Sequence, residues 1–352
     1  SGYKERCITS TLKTGDKELT FKFRKNYIYA GEVKEEAYIR TKTDEFVIKQ
    51  IEPADGWSTC TAQMNVEELE GKQFPAGFNT TEQTALACVN AAIEGTGWMV
   101  SLCEITKKRT IKMDSNCSAW DVIQSVITTY RCEVEFDTIG KTISIHEKIG
   151  RDSGAYFMER LNLKRLQIQS NSYDFATRLI PVGKDGLMIN VDGKNYIENH
   201  QYSSKVKTVS WKDDRYTVVS SLLEDAEAKL DELSKPYKSY TVEVKDLAAA
   251  KPEQYGEILS FKLGDSVTLI SQTEKIREKH RIVKTYEYPE NPDGNKCEMA
   301  NTRLTFEEVQ KQEQELQTAE ISSVASNAAA DTLDNAVGSS EELKKMVSQI
   351  QA

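Results

Sequence analysis

No run of residues in this chain approaches the roughly 20 apolar positions that a membrane-spanning helix needs. The opening residues, SGYKERC, also lack the apolar stretch of a signal peptide. The expectation is a protein made in the cytoplasm, with no membrane span. The seven cysteines, at 7, 60, 88, 103, 117, 132 and 297, include no C-x-x-C pair and are odd in number. Neither a zinc ribbon nor a disulfide framework is therefore written here, and they read as reduced thiols filling small apolar positions. Histidine is scarce: His146, His200 and His280 lie far apart, with no H-E-x-x-H spacing to mark a zinc hydrolase. Positive charge is in deficit, and a net charge of −9 argues against nucleic acid as a specific ligand, since that affinity comes largely from Lys and Arg neutralising phosphates.

What is present is a soluble globular composition, 39% hydrophobic and 29% charged, in a chain of 352 residues. That is long enough for two or more domains, because single cores rarely grow beyond roughly 250 residues. Up to about residue 55 the pattern is that of strands. Leu19, Phe21 and Phe23 alternate with polar residues and FVIKQI follows at 46–51, as in an antiparallel meander. From 57 to 154 the period changes. Thr80 and Gln83 form a capping-box pair ahead of Leu86, Val89 and Ile93, and Gly95-Thr96-Gly97 stops that predicted helix. A hairpin is expected near 98–104 and 109–113. Ser118 then caps a second helix carrying Trp120, Ile123, Ile127 and Tyr130, and a hairpin of Val134/Phe136 with Ile143/Ile145 turns at Gly140. Strands return beyond 155, a helix is expected from Tyr216 to Leu233, and residues 238–308 are again strand-rich. Past 305 the chain is Gln-, Glu-, Ala- and Ser-rich with a thin apolar seam, which suits an oligomeric coiled coil or a connector.

Candidate chemistry is sparse. Gly183-Lys184 in TRLIPVGKDGLMI evokes a phosphate loop, but Arg178 stands where the first glycine belongs and Asp185 where Ser or Thr belongs. The stretch reads instead as strand, turn, strand, with a second turn at Asp192-Gly193. The basic clusters Lys107–Arg109 and Lys275–Arg281 read as solvated faces. Asp213-Asp214 is expected to precede a helix and meet its dipole, and Glu35-Glu36 would point apart. His146 and His280 are expected on exposed strand positions. Trp57, Trp98, Trp120 and Trp211 are too scattered for a sugar-stacking platform. No catalytic, cofactor-binding or metal-ligating residue is assigned.

Several short blocks in order, NLK at 162, SNSYDFATRLIPVGKDGL at 170–187, SKPYKSYTVEVKDL at 234–247, LGDSVTLI at 263–270 and KHRIVKTYEYP at 279–289, resemble the prophage endopeptidase tail family. FKF at 21, FVIKQI at 46 and GTGW at 95 agree with it. The resemblance implies an α+β, β-rich phage tail-hub fold with two barrel-like β domains, an α+β insertion and a helical C-terminal tail. It implies a homotrimeric ring at the virion tail tip of a phage of Gram-positive bacteria. The implied partners are the distal tail protein, the tail tube, the tape-measure protein, a receptor-binding or lytic module at the C-terminus and the bacterial cell envelope. The resulting expectation is a first barrel-like unit in 1–56 and 155–210, an insertion in 57–154, a helical segment in 211–237, a second barrel-like unit in 238–308 and a helical connector in 309–352. The role is structural, with no enzymatic activity and no cofactor. The rival reading, carried by the family's name, is a peptidoglycan endopeptidase.

Overall fold

The structure, a computed structural model, describes residues 2–301, so the expected helical connector at 309–352 lies outside the described residues. Alternation sets the first strands as the sequence predicts. Strands β1 (Tyr3–Thr11), β2 (Lys17–Arg24), β3 (Tyr38–Arg40), β4 (Glu45–Pro53) and β5 (Trp57–Met64) pair antiparallel in the order β1-β2-β5-β4-β3. Leu19 and Phe23 of β2, Phe46 and Ile48 of β4, and Cys60 and Ala62 of β5 point the same way and close one buried core.

The next segment has its own, larger core. It runs through α1 (Glu67–Gly71), β6 (Gln73–Phe74), β7 (Phe78–Thr84), α2 (Ala85–Ile93), β8 (Met99–Cys103), β9 (Lys108–Met113), β10 (Cys117–Ser118), α3 (Ala119–Tyr130), β11 (Glu133–Asp137) and β12 (Thr142–His146). Helix α3 begins as predicted. The Ser118 side chain accepts the Asp121 N–H, the Asp121 carboxylate takes the Ser118 N–H, and Val122, Ile123, Val126, Ile127 and Tyr130 are buried behind them. The β11–β12 hairpin also forms, its turn held by the Asp137 carboxylate accepting the N–H groups of Ile139 and Gly140.

Two expectations fail here. The Thr80–Gln83 pair caps nothing, because residues 78–84 are drawn into β7 by pairing with β9, and Thr84 caps α2 instead. A ladder of backbone hydrogen bonds outweighs one side-chain cap, worth about 1 kcal/mol. The expected β8–β9 hairpin is absent as well: β8 lies parallel to β12 while β9 pairs with β7. The linking Ile105-Thr106-Lys107 carries no Gly, Asn or Asp for a tight reversal, and Ile105 is buried.

The chain then enters the second β region through β13 (Asp152–Met158) and β14 (Leu163–Asn171). A small three-stranded sheet follows, made of β15 (Arg178–Val182), β16 (Ile197–Glu198) and β17 (Thr208–Lys212), with α4 (Val219–Leu233) packed on it through Leu222, Ala226 and Leu230. Last come β18 (Tyr237–Val244), α5 (Leu247–Ala250), α6 (Pro252–Leu259), β19 (Ser266–Ser271), β20 (Ile276–Glu287) and β21 (Lys296–Ala300). Strand β14 hydrogen-bonds to β18, so residues 163–171 join the C-terminal strands and not the unit of residues 1–56, and β15–β17 stand apart from both. The cause is visible in the packing, since Leu163 and Leu166 lie against a core of Phe157, Tyr240, Val242, Leu269, Ile282 and Met299.

Strand β20 joins the two β regions into one eleven-stranded sheet. Its first half pairs with β19 and its last four residues pair with β1 on the same edge, while β21 runs along the other edge.

Candidate functional site

The Gly183-Lys184 loop spends its amides within the protein. The Gly183 N–H donates to the Leu187 carbonyl (2.7 Å), the Lys184 N–H to the Tyr216 carbonyl (2.9 Å) and the Leu187 N–H to the Lys184 carbonyl (3.0 Å). A Cβ on Gly183 would stand 2.7 Å from the Tyr216 oxygen, so close packing explains this glycine without any ligand. The expected second strand shrinks to a single bridge from Val182 to Met188, and β15 takes its long partner, β17, in parallel.

The three histidines remain apart in their contacts. His146 is half-buried between Glu104 (3.4 Å) and Glu135 (3.2 Å), and His200 Nδ1 lies 3.0 Å from the Ser203 carbonyl. His280, expected to be exposed, is 8% exposed, stacked on Tyr240 at 4.5 Å and 3.0 Å from a Glu278 oxygen. Glu278, His280 and Ile282 share one face of β20, which sequence neighbours Lys279 and Arg281 on the other face disguise. Burial holds the imidazole below its ordinary pKa despite the carboxylate. Glu278 itself is pulled down to about 2 by hydrogen bonds from Lys238, Tyr240 and His280, against the cost of its own burial.

All seven cysteines are free, and only Cys103 is more than slightly exposed. Burial pushes the Cys7 and Cys117 thiols up and Cys60 to about 11, which disfavours the nucleophilic thiolate. Among the described residues no group of three or more His, Cys, Asp or Glu is placed to hold a metal ion. The tryptophans share no groove. Trp98 and Trp120 pack about Phe136 in one core, Trp57 lies under Lys4 and Arg24, and Trp211 meets Tyr216 edge to face.

In the two basic clusters Lys108, Lys275, Arg277 and Lys279 are exposed as expected, but one arginine of each turns inward. Arg109 is buried and donates to Asp225 (2.9 Å) and Glu224 (2.8 Å), pinning β9 to α4. Arg281 donates a fork to Glu133 (2.6 and 2.7 Å) and further bonds to the carbonyls of Gly264 (2.8 Å) and Ile149. The Glu133 carboxylate also accepts the Ile149 N–H at 2.7 Å. Asp213 does not cap a helix, since α4 begins only at Val219; Asp213 forks instead with Arg215, whose Nη1 reaches Thr129 of α3 (2.6 Å).

The contacts of Arg281 and Glu133 define the principal built feature of the molecule, the joint where residues 65–150 meet the large sheet. Gly150 and Gly264 face each other there with φ of +80° and +86°. A Cβ on Gly150 would sit 2.3 Å from the Gly264 carbonyl carbon, and one on Gly264 would sit 2.6 Å from the Ile149 oxygen. Asp265 takes the N–H groups of Arg151 (2.7 Å) and Lys262 (2.9 Å) beside them. The blocks LGDSVTLI and KHRIVKTYEYP thus converge on one place, supplying Gly264, Asp265 and Arg281. NLK supplies a corner of similar kind, where buried Asn162 holds Met158 and Tyr156 and passes β13 into β14. Nothing in the spacing of Glu133, Gly150, Gly264 and Arg281 announces this meeting.

The fold has close counterparts among solved structures. The prophage tail protein gp18 of Listeria monocytogenes EGD-e matches with a TM-score of 0.66 at 15% identity, over 90% of this chain and 95% of that one. The 43 kDa tail protein of prophage MuSo2 from Shewanella oneidensis matches at 0.60 and 12%, over 86% and 94%. The tail protein from Neisseria meningitidis MC58 matches at 0.55 and 10%, over 85% and 91%. At such identities the likeness is one of fold: a β-rich architecture with few helices. No curated protein matches by sequence. The model described as prophage endopeptidase tail matches residues 151–310, and that described as prophage endopeptidase tail domain matches 78–145. With the matched stretches spanning both the joint and the strands it anchors, the chain belongs to the prophage endopeptidase tail family.

Proposed function

We propose that this chain is a structural component of a phage or prophage tail tip, three copies forming a ring at the distal end of the tail tube. The observation that carries the reading is β20, which pairs with β1 at one end and β19 at the other and so fuses two separately cored β regions in each chain. In this reading the two regions are barrel-like units, and three chains present six similar walls to a sixfold tube. The distal tail protein and tube then lie on one side of the ring, and the tape-measure protein reaches its lumen. Receptor-binding or lytic modules on the other side face the cell envelope of a Gram-positive host. A net charge of −9 suits a wall past which DNA travels without sticking.

The joint fits this role. Paired glycines with no room for a side chain, a forked ion pair and a carboxylate gripping backbone amides make a stiff attachment for the inserted α+β layer, as a load-bearing shell requires. Quantitative mass spectrometry of purified tails containing the protein tests the reading. Three copies per tail are expected, in an electron-microscopic ring at the tip; one or six copies, or a position along the tube, would refute it.

A further inference from the structure

Between the small sheet and helix α4 lies a cleft of about 340 Å³, which the joint does not use. That is near the lower end of the roughly 300–1,000 Å³ typical of small-molecule sites. Val191 and Ile197 supply apolar surface, and Leu230, buried in the packing of α4, forms the floor.

One wall is fixed in advance. The Arg178 guanidinium sits 4.2 Å from the centre of the Tyr196 ring, and it is held by two hydrogen bonds to a Glu198 oxygen (3.0 and 2.7 Å) across the β15–β16 pair. Such pre-organisation lowers the entropy cost of binding.

The remaining polar groups are unspent. Among the described residues, the carboxylates of Asp192 and Glu227 have no hydrogen-bond or ion-pair partner. The Lys194 ammonium meets only the Tyr196 ring, at 5.5 Å. Asn199 uses its carbonyl oxygen on the Gln201 N–H (3.0 Å), leaving its NH₂ group to donate.

Charge and shape narrow the ligand. The carboxylates outnumber the ammonium, which disfavours phosphate and other anions. A lone metal ion finds no set of three ligating side chains among the described residues. A purely apolar ligand would strand the charged rim. A neutral ring bearing several hydroxyls fits: its O–H groups donate to Asp192 and Glu227 and accept from Lys194 and Asn199, while its C–H face rests on Val191 and Ile197. We propose that this cleft is a saccharide-binding site.

The proposal stands apart from the tail-tip reading, and either can fail alone. Its test is saturation-transfer NMR on the full chain with glucose, galactose, N-acetylglucosamine, maltose and lactose as probes at millimolar concentration. The result expected is transfer to the ring protons of at least one sugar. Binding should weaken about tenfold or more in Glu227→Ala and in Lys194→Ala, the loss of about one good hydrogen bond each. It should be unchanged in Glu135→Ala, remote in the inserted layer. Both rim side chains are exposed, and an unaltered thermal transition checks that the variants fold. Failure of all five sugars overturns the proposal, as does transfer that survives both rim variants. Shifts at residues 192–199 with calcium alone, and none with sugar, overturn it in favour of a cation.

Discussion

Replacing Arg281 by methionine tests the joint most directly. The substitution keeps most of the aliphatic stem but removes the fork to Glu133 and the bonds to the carbonyls of Gly264 and Ile149. Glu133, 1% exposed, then keeps the Ile149 N–H but loses the Arg281 guanidinium. Removing one partner of a buried pair costs about 3–5 kcal/mol, most of it from the stranded charge. At roughly 2 °C per kcal/mol for a unit of this size, the thermal midpoint should fall by roughly 6–10 °C. The double variant Glu133→Leu with Arg281→Met removes both members of the pair and should regain about half of the loss. Hydrogen exchange should quicken first around residues 133–150 and 264–266. A single variant within about 1 kcal/mol of the parent would refute the joint's importance. A double variant no better than the single would refute the stranded-charge argument.

The steric side of the joint predicts that Gly264→Ala costs at least about 2 kcal/mol more than Gly56→Ala in chemical denaturation, since both have positive φ but only Gly264 faces a carbonyl. Equal costs would show that backbone strain alone is at stake. Because burial depresses the His280 pKa below 6.5, the unfolded chain binds the extra proton first as pH falls. Stability should therefore decline from about pH 6.5 downward towards the lowered native value, and His280→Gln should flatten that part of the urea-midpoint profile while keeping the share of the Glu278 contribution, lost between pH 4.5 and about 2, that Lys238 and Tyr240 supply. Ellman's reagent should label Cys103 fastest in the folded protein and all seven thiols only on unfolding; rapid labelling of Cys60 or Cys297 would contradict their burial. Zymograms on purified cell walls should show no clearing, whereas clearing abolished by replacing His146, His200 or His280 would favour the endopeptidase reading.

Local signals in the sequence were legible where nothing distant competed with them. The Ser118 cap, the α3 stripe and the Asp137–Gly140 turn each depend on residues within a few positions, and each is found. The Thr80–Gln83 box is just as good a local signal, and it loses to pairing with β9 some thirty positions along the chain. His280 shows the limit of composition: flanked by Lys and Arg it looks solvated, yet alternation places it on the core face with Ile282. The joint was unreadable for a deeper reason. Its four principal residues come from β11, the turn before β13, the turn before β19 and β20, and only the folded sheet brings them together. The cleft, likewise, owes its rim to a turn and its far side to α4.

The pairing of β1 with the end of β20 also bears on how the protein is made. A ribosome delivers Ile8–Thr11 long before Lys284–Glu287, so β2, β4 and β5 can assemble early while one edge of β1 waits without its neighbour. An unpaired edge during synthesis is a template for strands of other chains. Non-local pairing of this kind also slows the final closure. The bulge at Lys4/Cys7 and the left-handed Glu5 lie on that same strand, N-terminal to the waiting segment. They interrupt the regular ladder and shorten the straight edge that a stray strand could join. The strand that completes the sheet therefore also ends a period of exposure, and crowded synthesis of many copies at once is where a weakened β20 would first be felt, as aggregate.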